Sequence, residues 1–178
     1  MIMLTLVVVL GVLSALRSRP GGLPRFFTPE LHRNVALLTL VFLGLHIVTA
    51  VVDPFTNLGW ATAVIPFSSS YRTFWLGLGT IAFELLAAVI VTSLARGLLG
   101  LRVWRTIHWL SYAAWPVAIL HGLGTGTDTW SAWLFAITVA CLGVVGFATV
   151  YRVLVDKSDP LAGPRASFRA GVDRGADR

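Results

Sequence analysis

The sequence predicts an all-α integral membrane protein with five transmembrane helices. Three observations lead there. Only 12% of the 178 residues are charged and 56% are hydrophobic, whereas about a quarter of a soluble domain is charged. Mean hydropathy is +0.80. The apolar residues also fall into runs separated by short segments rich in Arg, Gly and Pro. A helix rising 1.5 Å per residue crosses a hydrocarbon core of about 30 Å with about 20 such residues. The length suits a single domain. The net charge of +6 comes almost wholly from arginines that flank the apolar runs. Nucleic-acid binding, which needs cations along one face, is therefore excluded.

The elements follow in order. Residues 1–16 form an apolar run followed by Arg17 and Arg19. A secretory signal has its cations before the run, so this is read as an uncleaved first span with its N-terminus outside. Pro20, Gly21, Gly22 and Pro24 break the next, basic loop. Thr28-Pro29-Glu30 has the form of a helix start with Thr28 as N-cap. The second span then covers about 31–52 and ends at Asp53-Pro54. The long loop 53–72 holds LGWATAVIPF and reads either as a segment lying over whatever sits between the spans or as a plain amphipathic connector. Further spans are expected at about 73–94, 106–123 and 130–150, with a short basic turn at 97–105 and Pro116 inside the fourth. Spans two to five belong to one unit, 17–155, and the polar, Gly- and Pro-rich residues 156–178 are expected to form a disordered cytoplasmic tail. Cys141 lies inside an apolar run, with no partner for an intramolecular disulfide.

Five spans place alternate loops on opposite sides. Arg17, Arg19, Arg25, Arg33, Arg96, Arg102, Arg105, Arg152 and Lys157 fall on one side, and Arg72 alone on the other. Excess Lys and Arg marks the cytoplasm, so the orientation is N-out/C-in. Trp60, Trp75, Trp130 and Trp133 lie near the outer boundary and Trp104 and Trp109 near the inner, as interfacial anchors do.

The histidines carry the chemistry. There are 4, all on spans two and four. His32 and His46 are fourteen residues apart, and His108 and His121 thirteen. Each pair is separated by roughly 20 Å along a helix, too far for one metal ion. Spans two and four run in the same direction, so the pairs match in depth: His32 and His108 beside Arg33 and Arg105, His46 and His121 each seven residues before an aspartate. Side chains this polar within spans are costly and mark function. The arrangement suits two haems, an inner iron between His32 and His108 and an outer iron between His46 and His121. Thirteen residues return about 140° from the starting face of a regular helix. The fourth helix must therefore be irregular near Pro116, or the haem planes must be turned relative to each other.

With these residues in view, the chain resembles the ferric reductase-like transmembrane domain family, in its short bacterial form. The family includes the membrane cores of ferric reductases and NADPH oxidases and the haem-binding subunit of periplasmic methionine sulfoxide reductase. The likeness rests on the two histidine spacings and on LHRN, WRTIHWLSY and LHGLGTGTD, and covers roughly residues 28–152. It implies b-type haem, a bacterial plasma membrane location and electron transfer across the bilayer. Unlike the oxidases, the tail after the fifth span shows no dinucleotide fingerprint. The expected donor is therefore a separate flavoprotein or quinol, and the acceptor ferric iron, oxygen or a partner protein on the extracytoplasmic side.

Supporting residues follow from haem's anionic propionates. Arg33, Arg105 and Arg102 are inner candidates, with positive-inside anchoring as the alternative. Arg72, with Ser68, Ser69, Ser70 and Tyr71, is the outer candidate. Glu84, the carboxylate at mid-membrane depth, reads as a protonated acid bonded to a neighbouring helix, a support for a ligand histidine, or part of a proton path. Gly44, Gly77, Gly79, Gly122 and Gly143 make room for a porphyrin or for close helix packing. Three functions compete: a transmembrane reductase acting directly on its acceptor, a carrier subunit feeding a partner reductase, and a metal-ion transporter using the histidines as stations. Transporter sites usually gather ligands at the midplane, which these do not.

Overall fold

The computed structural model describes residues 1–16, 26–56 and 58–157. Most of the basic loop between the first two spans, and the tail from residue 158, lie outside the described residues. The described chain is helical: α1 (Ile2–Ala15), α2 (Phe27–Val52), a 3-10 turn (Trp60–Ala63), α3 (Thr73–Leu94), α4 (Arg96–Leu99), α5 (Leu101–His108), α6 (Leu110–Thr125) and α7 (Ala132–Lys157). Three stretches, Phe27–Val52, Thr73–Leu94 and Ala132–Leu154, are long and apolar enough to cross a membrane, and α1 is a shorter apolar helix.

The fourth expected span differs most from its sequence reading. It starts earlier, at Leu101 after the positive-φ residue Gly100, and is interrupted at Trp109 instead of running unbroken over 106–123. Pro116 sits inside α6 without ending it. Its missing N–H leaves the Tyr112 carbonyl without its usual partner. One turn earlier the backbone tightens, with the Tyr112 N–H bonding the Trp109 carbonyl at 3.1 Å. The expected turn at 97–105 is largely helical, as α4 and the start of α5. At α2 the helix begins at Phe27, so Thr28 is buried in the first turn and makes no cap bond. Pro29 is tolerated there because first-turn N–H groups have no intrahelical acceptor.

Two helix pairs dominate the packing, α3 on α6 and α1 on α2; α1 also packs on α7 and α6, and α3 on α5. Lipid is as apolar as Leu, so close fit and interhelical hydrogen bonds hold such bundles. Val8 of α1, Trp115 and Ile119 of α6, and Cys141 and Val145 of α7 form one buried cluster. The Trp115 Nε1–H donates to Thr5 Oγ1 at 3.0 Å, both residues being buried. Leu, Val and Phe face outward along α2 and α7, which costs nothing where the surroundings are hydrocarbon. α2 leans on α1 and the 3-10 turn, and it is not packed backbone to backbone against α5 or α6. This leaves a slot between α2 and the α5–α6 rod.

The Thr5–Trp115 bond ties α1 to α6. Thr5→Val and Trp115→Phe are each expected to cost about 1 kcal/mol in thermal unfolding of the detergent-solubilised protein, within the range for buried interhelical bonds. The double variant should cost less than the two losses combined.

Candidate functional site

The slot brings the four histidines together in pairs. The ring centroids of His32 and His108 are 6.5 Å apart with planes at 69°, and those of His46 and His121 6.2 Å apart at 77°. A regular helix would turn His108 and His121 to different faces. The interruption at Trp109 falls directly after His108, and both rings face α2.

Backbone carbonyls orient two of the rings. His32 Nδ1 lies 3.0 Å from the Val7 carbonyl of α1, and His121 Nδ1 2.9 Å from the Trp75 carbonyl of α3. A carbonyl only accepts, so Nδ1 carries the proton in both rings and Nε2 keeps its lone pair. That is the tautomer and support a metal-ligating histidine needs. His108 is braced differently. Its ring packs on Trp104, centroids 4.9 Å apart, and its buried Nδ1 has no partner among the described residues. Trp104 is itself held by the Ser93 hydroxyl at 3.1 Å and lies under the Arg96 guanidinium. His46 is exposed; its carbonyl accepts from the Thr49 hydroxyl at 3.0 Å, but its ring has no hydrogen-bond partner among the described residues.

The spacing tests whether a metal centre fits. With about 2.0–2.1 Å from metal to nitrogen, and about 1.2 Å from nitrogen to ring centre, two imidazoles on opposite sides of an ion have centroids about 6.4 Å apart, against about 5.2 Å in a tetrahedral site. Both observed centroid separations lie near the first of these distances. Among the described residues no three His, Cys, Asp or Glu side chains converge on one point. The residues present would therefore fit a group, such as haem, that needs only two imidazoles from the protein.

Around the His46–His121 pair, loop 53–72 is fastened to the helices. The Thr80 hydroxyl donates to the Thr62 carbonyl at 2.8 Å. The Phe67 ring occupies the space a side chain on Gly77 would need, and Phe67 itself holds a left-handed φ of 62°. Arg72, also left-handed at φ 41°, donates from Nη1 to the Gly124 carbonyl, one turn beyond His121, and stacks on Tyr71. The hydroxyls of Ser68 and Ser69 are spent within the loop, on the Ile65 and Tyr71 carbonyls. Near the inner pair, Arg33 and Arg105 are exposed, Arg33 beside His32 and Arg105 one turn before His108; Arg102 is exposed a turn further off. Arg152 donates to the Tyr112 hydroxyl and stacks on Trp109, bracing the helix interruption.

One reading of the supporting residues changes, and the glycines divide. Glu84 is exposed and accepts no hydrogen bond among the described residues, so it is not bonded to a neighbouring helix. Gly44, Gly122 and Gly143 face open space, whereas Gly79 admits the His121 ring and Gly77 the Phe67 ring. Sequence reading passed over Gly11, which lies against His32, and Trp104's contact with His108. The four-residue spacing of Trp104 and His108 along one helix was the available signal for the second.

The profile of the family described as "ferric reductase like transmembrane component" matches residues 1–119. The chain belongs to this family. The match takes in α1 and the residues bearing His32, His46 and His108, and it ends inside α6 before His121. As a ferric reductase-like transmembrane component, the chain is a membrane protein of an oxidoreductase, electron-transferring type. No curated protein and no solved structure matches it.

Arg72 is expected to be the fastener of the outer loop. Arg72→Ala removes a charge-assisted bond, and amide hydrogens of residues 60–72 should then exchange about tenfold faster, with α3 and α6 unchanged. Hydrogen-exchange mass spectrometry checks this.

Proposed function

We propose that this ferric reductase-like protein is a b-type di-haem membrane cytochrome, carrying electrons from a cytoplasmic-side donor to an extracytoplasmic acceptor. On this reading it spans the plasma membrane of a bacterial cell five times, N-out/C-in, with α1 and the α5–α6 rod as the two spans beyond the three long helices. His32 and His108 are the axial ligands of the inner haem, and His46 and His121 those of the outer. Arg33 and Arg105 would hold the inner propionates and Arg72 the outer. Haem iron supplies one-electron chemistry; the protein's part is to hold the two sites at opposite ends of one slot, roughly 20 Å apart along α2.

The single observation that carries the reading is the repeated separation of 6.2–6.5 Å between imidazole centroids. One such pair is an ordinary edge-to-face contact of aromatic rings. Two pairs at one spacing, on the same two rods and lining the same slot, suit two trans-ligated irons. A metal-ion transporter has less support, since the histidines stand in separated pairs. The donor is a separate flavoprotein or quinol. The acceptor is ferric iron, oxygen or a partner protein, the last making the chain a carrier subunit. Reduction of free ferric chelate by the reduced protein alone favours a direct reductase, and its absence favours the carrier.

Haem quantification with reduced-minus-oxidised spectra tests the proposal. The purified protein should hold about two b-type haems per chain, one for each histidine pair. His32→Ala and His46→Ala should each remove one, and not the same one. A wild-type protein without haem refutes the function, and a His46→Ala protein with the full complement refutes the outer site.

A further inference from the structure

The two carbonyl-bonded histidines share a local geometry, although they lie on different helices and at opposite ends of the slot. His32 bonds the carbonyl of Val7, and its ring lies against Gly11, four residues later in α1. His121 bonds the carbonyl of Trp75, and its ring lies against Gly79, four residues later in α3. In an α-helix, Cα–Cβ bonds tilt toward the N-terminus, so a side chain covers the turn before its own residue. The carbonyl it covers is the one its own N–H bonds, four residues back. A glycine uncovers that carbonyl, and an imidazole from the next helix reaches it.

We propose that Gly11 and Gly79 are positioning residues, each forming a seat that fixes the tautomer and angle of one imidazole in each pair. The α1–α2 pair seats His32 and extends His46 unseated across the slot. The α3–α6 pair seats His121, while His108, on α5, reaches across without a seat. Each pair of histidines therefore joins one seated ring to one unseated ring, and the arrangement is inverted between the two ends. Their role as haem positioners rests on the function proposed above; the seats themselves are a property of the protein.

The clearances rank the two seats. A Cβ on Gly79 would lie 2.5 Å from both Cε1 and Nδ1 of His121, which forces the ring out. One on Gly11 would lie 3.3 Å from Cε1 and 3.6 Å from Nδ1 of His32, which asks only a small shift. A Cβ on Gly44 or Gly143 would meet nothing within 4 Å. Alanine favours a helix over glycine, so a penalty at residue 79 runs against propensity.

The test is a double-mutant cycle on the full-length purified protein, read as thermal stability and as haem retained per chain. Gly79→Ala is expected to lower the melting temperature and to weaken retention about 10–100-fold of the haem that His46→Ala also removes. Gly11→Ala should act more mildly on the other haem, while Gly44→Ala and Gly143→Ala leave both in place. In a His121→Ala background, Gly79→Ala should cost no further stability, because the ring it displaces is gone. An equal penalty in that background, or a Gly79→Ala protein with unchanged stability and both haems, overturns the seat. A wild-type protein that carries no haem overturns the function proposed above, and the stability cycle still decides the seats.

Discussion

Two imidazoles with centroids 6.2–6.5 Å apart neither stack nor bond each other. Even aimed directly, their nitrogens would be about 4 Å apart, beyond hydrogen-bond reach. This separation is the constraint on which the remaining architecture depends. α2 must stand off from the α5–α6 rod along most of its length, so it takes its support from α1 and the 3-10 turn. The core accordingly lies to one side, among α1, α6 and α7. Packing α2 directly against α6 would bury more surface and close the slot.

Bracing at the two ends follows from the same constraint. A rod with a slot beside it has fewer neighbours to orient its side chains, and orientation comes instead from single features: a bared carbonyl, a stacked indole, an arginine on a helix C-terminus. Three of the four histidines have such a support, through Val7, Trp75 and Trp104. His46 has none among the described residues and lies on α2, the least buried of the three long helices. Loop 53–72, with left-handed backbone at Phe67 and Arg72, is bonded to α3 and α6 at this end. Non-glycine residues are held in that conformation only where their surroundings determine it, as the Gly77 recess and the Gly124 carbonyl do here.

The outline of the fold was legible because long apolar runs, and the Pro, Gly and Arg residues that bound them, mark where helices begin and end, which sequence order reports directly. α3 begins and ends at the expected residues. The pairing of His32 with His108 and of His46 with His121 followed from depth alone, without any contact being known. What was not legible depended on rotation about helix axes and on neighbours. Pro116 pointed to an irregular fourth helix, but the interruption came at Trp109, where the local hydrogen bonds could shorten. Thr28 had the form of a cap, yet the chain continues helically before it. A bond to a neighbouring helix was one of three readings of Glu84, and its position on α3 turns it outward. Gly11 and Gly79 look like any other glycine in an apolar run; only the ring lying on each distinguishes them.

On the proposed function, each histidine pair ligates one iron from opposite sides. Electron paramagnetic resonance of the oxidised, purified protein tests it most directly, since coordination number sets the spin state of ferric haem. Two low-spin ferric signals are expected, both strongly anisotropic because the paired rings are near perpendicular, with one signal lost in His46→Ala and the other in His32→Ala. A high-spin spectrum in the wild-type protein, or a single low-spin signal abolished by either substitution, would contradict it.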